Sequence, residues 1–205
     1  MHWIRIPLIS LPALLLLSAC ATLNKSECKS ADWRIIGLED GSAGRPQSYI
    51  GNHRKSCARY DVKPDLRAYQ AGHSEGLNEF CTATSGYQQG RRGRAYNDVC
   101  PEQLETDFLR GYSKGIRIHE AEDEVKRLSS EVRQTEQNIA SVEQAITDQQ
   151  QTLIDSGDSK QVRQELLDGL ENDKNLLDQL QDELANLQAQ LAHANRRLQY
   201  ALDSQ

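Results

Sequence analysis

The chain has 205 residues, with 24 basic and 30 acidic side chains, a net charge of −6, five cysteines and a mean hydropathy of −0.69. A length of this order allows one or two domains. Charge is divided unevenly, 14 basic and 12 acidic residues over 21–115 against 9 and 18 over 116–205, and so acidic a second half argues against nucleic acid and against a long lie along an anionic membrane, both of which need a basic face.

The amino terminus carries one positive charge, Arg5, ahead of an apolar stretch from Ile6 to Leu17 that Pro7 and Pro12 make a poor spanning helix. This is the pattern of an export signal over 1–19. The order Leu17-Ser18-Ala19-Cys20 looks like a bacterial lipobox, cut before Cys20 once its thiol is lipidated; the competing reading is an ordinary secretory cleavage site that contains a cysteine. Each buried methylene contributes about 0.8 kcal/mol, so two or three acyl chains hold a protein to a membrane where one does not. Ala21 follows, not aspartate, and resemblance to enterobacterial lipoproteins then implies the outer membrane, on its periplasmic face. Residues 20–27 form a tether that reaches at most about 28 Å, which keeps the cysteine-containing module near the bilayer.

Cys28, Cys57, Cys81 and Cys100 remain, an even number in an exported chain, and two disulfides are expected. Their wide, even spacing lacks the close pairs of a zinc site, so no metal and no cofactor is expected. Three pairings are possible. Cys28 with Cys57 and Cys81 with Cys100 is favoured because it staples neighbouring elements. The module 28–115 is small, and each bridge contributes about 2–4 kcal/mol to it. Pro46 opens a helix to about Tyr60; Pro64-Asp65 opens a second with Leu66, Tyr69, Leu77 and Phe80 on one face; Pro101 opens a third, with Leu104, Phe108 and Tyr112 four apart. Gly72 and Gly76, then Gly111 and Gly115, recur at i, i+4, a spacing that lets another element approach a helix backbone. Arg91, Arg92 and Arg94 read as a solvated loop. His53, His73 and Asp40 are the candidates for acid–base work, with Ser56 and Ser74 as conceivable nucleophiles, yet no nucleophile signature accompanies them. Structural histidines are the expectation, with Asp40-Gly41 making a turn.

The motifs Trp33-x3-Gly37-x2-Asp40-Gly41-x2-Gly44, His53-x3-Cys57, Tyr69-x2-Gly72-x3-Gly76-Leu77-x3-Cys81, Gly90-x2-Gly93-x2-Tyr96-x3-Cys100 and Phe108-x3-Tyr112-x2-Gly115 together resemble a bacterial lipoprotein family, the domain of unknown function numbered 2799. The resemblance covers about 28–115. It implies a cysteine-containing lipoprotein module and supplies neither substrate nor catalytic residue.

From Ile118 apolar side chains alternate at steps of three and four. Ile118, Val125, Val132, Ile139, Ile146 and Leu153 fall at a, and Ala121, Leu128, Thr135, Val142 and Gln149 at d. After Ser156-Gly157-Asp158-Ser159 comes a second seam, with Leu170, Leu177, Leu184, Leu191 and Leu198 at a and Leu166, Asp173, Leu180, Leu187, Ala194 and Ala201 at d. Seams of equal length about a turn at 156–159 predict an antiparallel hairpin over 116–205, with Val132 beside Leu187, Leu128 beside Leu191, Val125 beside Ala194 and Ala121 beside Leu198. A parallel dimer of separate helices is the alternative. Ile154, Val162, Leu167 and Leu176 lie outside the seam near the turn, where they either pack on one another or dock a partner.

The expected fold is thus mainly α, a glycine-rich disulfide module followed by a coiled-coil hairpin. The expected role is a non-enzymatic outer-membrane lipoprotein, anchored through Cys20 and acting as spacer, assembly or interaction factor with an envelope protein partner on the hairpin. An envelope-stress or redox sensor is the alternative, and a small periplasmic hydrolase the third.

Overall fold

Capping residues and prolines decide where the helices start. The computed structural model describes residues 23–155 and 159–204, and these form α1 Lys25–Lys29, α2 Trp33–Ser42, a 3₁₀ turn Gln47–Tyr49, α3 Ile50–Ala58, α4 Leu66–Phe80, α5 Ala83–Arg91, α6 Glu102–Asp155 and α7 Lys160–Asp203, with no strand among the described residues. Asn24 and Glu27 cap α1 reciprocally. The Asp32 carboxylate accepts from the Arg34 and Ile35 amides, the Thr82 hydroxyl oxygen accepts from Ser85, and that of Ser159 from Val162, each satisfying an amide that a helix start leaves without a partner. Cys20, and Ser156 to Asp158 of the expected turn, lie outside the described residues.

Contacts divide the chain into two units, up to Gly76 and from Leu77. The first is built on Cys28, Trp33, Cys57 and Tyr69, with Ile50, Tyr60 and Val62 packed around them. The Cys28–Cys57 bridge, 5.5 Å between Cα atoms, ties α1 to α3. There α2 crosses α4 at glycines. A Cβ on Gly37 would overlap the Tyr69 carbonyl and one on Gly72 the Arg34 carbonyl, so the helices meet backbone to backbone and accept the roughly 1 kcal/mol that each glycine costs a helix.

The second unit has its core at Leu77, Phe80, Cys81, Cys100 and Phe108, with Tyr96, Val99, Leu104 and Tyr112 against it. The Cys81–Cys100 bridge spans 5.6 Å between Cα atoms. Both bridges are the favoured pairing. Here α5 crosses α6 at Gly86 and Gly111, where a Cβ would overlap the carbonyls of Phe108 and Ala83. Helix α6 has 54 residues and continues without a break past Gly115 to Asp155, a length of about 80 Å at 1.5 Å per residue.

Helices α6 and α7 pair antiparallel. Leu128, Leu187 and Ala194 are buried together, with Val125, Val132 and Leu191 packed on them, which is the expected register. Along α7 every position that is not exposed is an a or d residue of the second seam, Gly169 apart.

Two local expectations fail. Asp40-Gly41 is not a turn but the last part of α2, and Asp40 is buried. Arg91 is not in a loop: it ends α5 and its guanidinium donates to both Glu122 oxygens at 2.7 and 2.9 Å, which holds the Glu122 carboxyl below its usual range.

Candidate functional site

Asp40, the residue expected in a turn, organises the polar interior of the first unit. Its side chain takes three donors: the Tyr69 hydroxyl at 2.7 Å and His53 Nε2 at 2.8 Å on Oδ2, and Arg45 Nη1 at 2.8 Å on Oδ1. An ionised carboxylate only accepts, so the His53 proton on that face sits on Nε2. Burial pushes the Asp40 carboxyl up; the hydrogen bonds from His53 and Tyr69 and the charges of His53 and Arg45 outweigh it and hold its pKa below the ordinary value. The same burial, with Asp40 alongside, pushes the Tyr69 phenol well up. His73 reaches the cluster by another route, donating from Nε2 to the Arg45 carbonyl at 2.7 Å while stacking on Tyr69. Arg45 closes the group from outside, its guanidinium 4.4 Å above the Tyr49 ring.

The structure therefore brings Asp40, His53 and His73 together. An Asp–His pair is the orienting half of many acid–base sites. Here Asp40, His53, Tyr69 and His73 are 2, 3, 0 and 4 % exposed, and Asp40, His53 and Tyr69 together join α2, α3 and α4 from within.

The second unit repeats this framework without the polar network. Gly37-x3-Gly41-x2-Gly44-Arg45 recurs as Gly86-x3-Gly90-x2-Gly93-Arg94, His53-x3-Cys57 as Tyr96-x3-Cys100, and Tyr69-x2-Gly72-x3-Gly76 as Phe108-x2-Gly111-x3-Gly115. The geometry follows the letters. Gly44 and Gly93 have φ of 68° and 64°; the Arg45 amide bonds the Asp40 carbonyl as the Arg94 amide bonds that of Gln89, at 2.9 and 3.1 Å. His73 donates to the Arg45 carbonyl, and Tyr112, its counterpart, donates to the Arg94 carbonyl at 3.0 Å. Where the first unit has Asp40, His53 and Tyr69, the second has Gln89, Tyr96 and Phe108, with the Tyr96 and Phe108 rings 4.8 Å apart. One helix-pair element is thus present twice, once around a carboxylate and once around stacked aromatics. Arg45 escaped the sequence reading, which placed Tyr69 on an apolar helix face and missed its hydrogen bond to Asp40; comparison of the chain with itself is the signal that finds both.

The four apolar residues singled out beside the turn do not bury one another. Ile154, Val162, Leu167 and Leu176 are 77, 40, 48 and 42 % exposed. Within the seam at that end Gln149 Nε2 donates to Asp173 Oδ2 at 2.8 Å, while Gln149 Oε1 is buried without a partner among the described residues. Among the described residues no group of three His, Cys, Asp or Glu is placed to hold a metal ion, and no helix is long and apolar enough to cross a membrane.

A family model described as a protein of unknown function, DUF2799, matches residues 32–117. No curated protein and no solved structure matches the chain.

Proposed function

We propose that this chain, whose residues 32–117 match the DUF2799 family model, is a non-enzymatic lipoprotein of the bacterial outer membrane that holds or contacts other envelope components through its helical hairpin. One observation carries the reading: the exposed Ile154, Val162, Leu167 and Leu176 at the end of the hairpin where α6 gives way to α7. Leu167 and Leu176 occupy e and g positions, where a long helix ordinarily carries charge. Burying each leucine in an interface contributes about 1.5–3 kcal/mol. Acylation of Cys20 supplies the anchor, and two disulfides suit an oxidising compartment. The burial of His53 and Asp40 supports a role other than catalysis. The four bridging cysteines are 0 to 8 % exposed, which weighs against the sensor reading, because thiol exchange requires a thiolate to reach the sulfur.

The test is photo-crosslinking from positions 167 and 176 in living cells. A discrete envelope protein should be captured at both, and Leu167→Ser with Leu176→Ser should lose it while helicity is kept. Capture from the 28–115 module alone would make the hairpin a spacer and move recognition to the module.

A further inference from the structure

The first unit carries a groove of about 640 Å³ between α3 and the segment Asp61 to Leu66 that leads into α4. Its walls are aliphatic. Ile50, Val62 and Pro64 line it with Leu66, which is 51 % exposed. Ile50 and Val62 also pack against the Cys28–Cys57 core, so that side of the groove is backed by solid interior. Gly51 leaves a bare stretch of helix facing it, for a Cβ there would meet nothing within 4 Å.

Arg54 and Lys63 also line the groove, with one acid, Asp61. Neither cation has an ion pair or side-chain hydrogen bond among the described residues. An aliphatic trough with an excess of positive charge selects a ligand with an apolar chain and an anionic end. The volume falls within the range of about 300–1,000 Å³ typical of small-molecule sites.

We propose that this groove binds a single-chain fatty acid, its carboxylate at Arg54 and Lys63 and its chain along Ile50, Gly51, Val62 and Leu66. Each methylene laid on that wall contributes through the hydrophobic effect, and the two cations distinguish the acid from a neutral chain of equal length. The site is independent of the hairpin.

The experiment uses the full chain carrying Cys20→Ser, so that no acyl chain of its own competes, and follows a dansyl-labelled undecanoic acid by fluorescence. Laurate should displace the probe at least tenfold more effectively than dodecanol. Gly51→Leu fills the groove from a position with free space around it, and should weaken binding at least tenfold with helicity kept and the melting temperature kept or raised; Leu66→Gln, at an exposed position, is the second blocking variant. Arg54→Gln with Lys63→Gln should abolish the preference for acid over alcohol. Absence of binding, equal displacement by laurate and dodecanol, or full affinity in both blocking variants overturns the proposal. So does a lysophospholipid that displaces the probe tenfold better than laurate, since the anionic end recognised would then be a phosphate.

Discussion

Asp40 satisfies three donors from inside a core, and such a group is worth more to its neighbours than to the total. Removing it strands His53, Tyr69 and Arg45, and breaking a buried ion pair on one side costs about 3–5 kcal/mol. Asp40→Ala should therefore lower the denaturant midpoint markedly. Changing the set together is different, because the second unit shows the same framework closed by other residues. Asp40→Gln with His53→Tyr and Tyr69→Phe should recover most of that loss, measured by urea denaturation of the same transition. The pH dependence has a definite sign. The Asp40 pKa is lower folded than unfolded, so its contribution is complete above the ordinary carboxylate range, near pH 4, and fades as pH falls through the folded value. Acid unfolding followed by circular dichroism should be shallower for the triple variant than for the natural chain. That His53 and Cys57 share a buried helix face was legible from their spacing. The role of Asp40 was not, because Asp-Gly favours a turn locally and only packing against α4 keeps it helical.

Short helices α2 and α5 were hidden in the sequence for a physical reason. They pack through glycines that expose backbone to backbone, so they carry little of the apolar stripe by which a helix is ordinarily recognised. The second arm of the hairpin was legible almost to the residue, since, Gly169 apart, the positions of α7 that lose solvent are its a and d positions. Two glycines of the first unit make opposite predictions. Gly72→Ala must drive backbone apart at Arg34 and should destabilise by about 1–3 kcal/mol, the usual cost of overpacking; Gly51→Ala, with nothing nearby, should stabilise by up to about 1 kcal/mol through helix propensity. Thermal unfolding of the two variants side by side decides it. For the hairpin, cysteines at Val132 and Leu187, which share one cluster, should crosslink within a single chain. Crosslinks found only between chains would replace the hairpin with a dimer.

At the scale of the molecule the proposed anchor lies at one end of the sequence and the exposed leucines near the far end of a helix about 80 Å long. Mass spectrometry of the mature amino terminus should find Cys20 first and acylated; a Cys20→Ser chain that stays firmly with the membrane would remove the lipoprotein reading. The two disulfides have a further consequence for how the chain is made. Each joins a cysteine to the next one along the sequence beyond Cys20, 28 to 57 and 81 to 100. A chain emerging amino terminus first presents Cys57 to Cys28 before Cys81 has appeared, so an oxidase acting in order of emergence makes only native bridges and leaves nothing to reshuffle. Maturation should depend on a thiol oxidase and be indifferent to a disulfide isomerase, and pulse-labelled chains trapped by alkylation should show the 28–57 bridge before the 81–100 bridge.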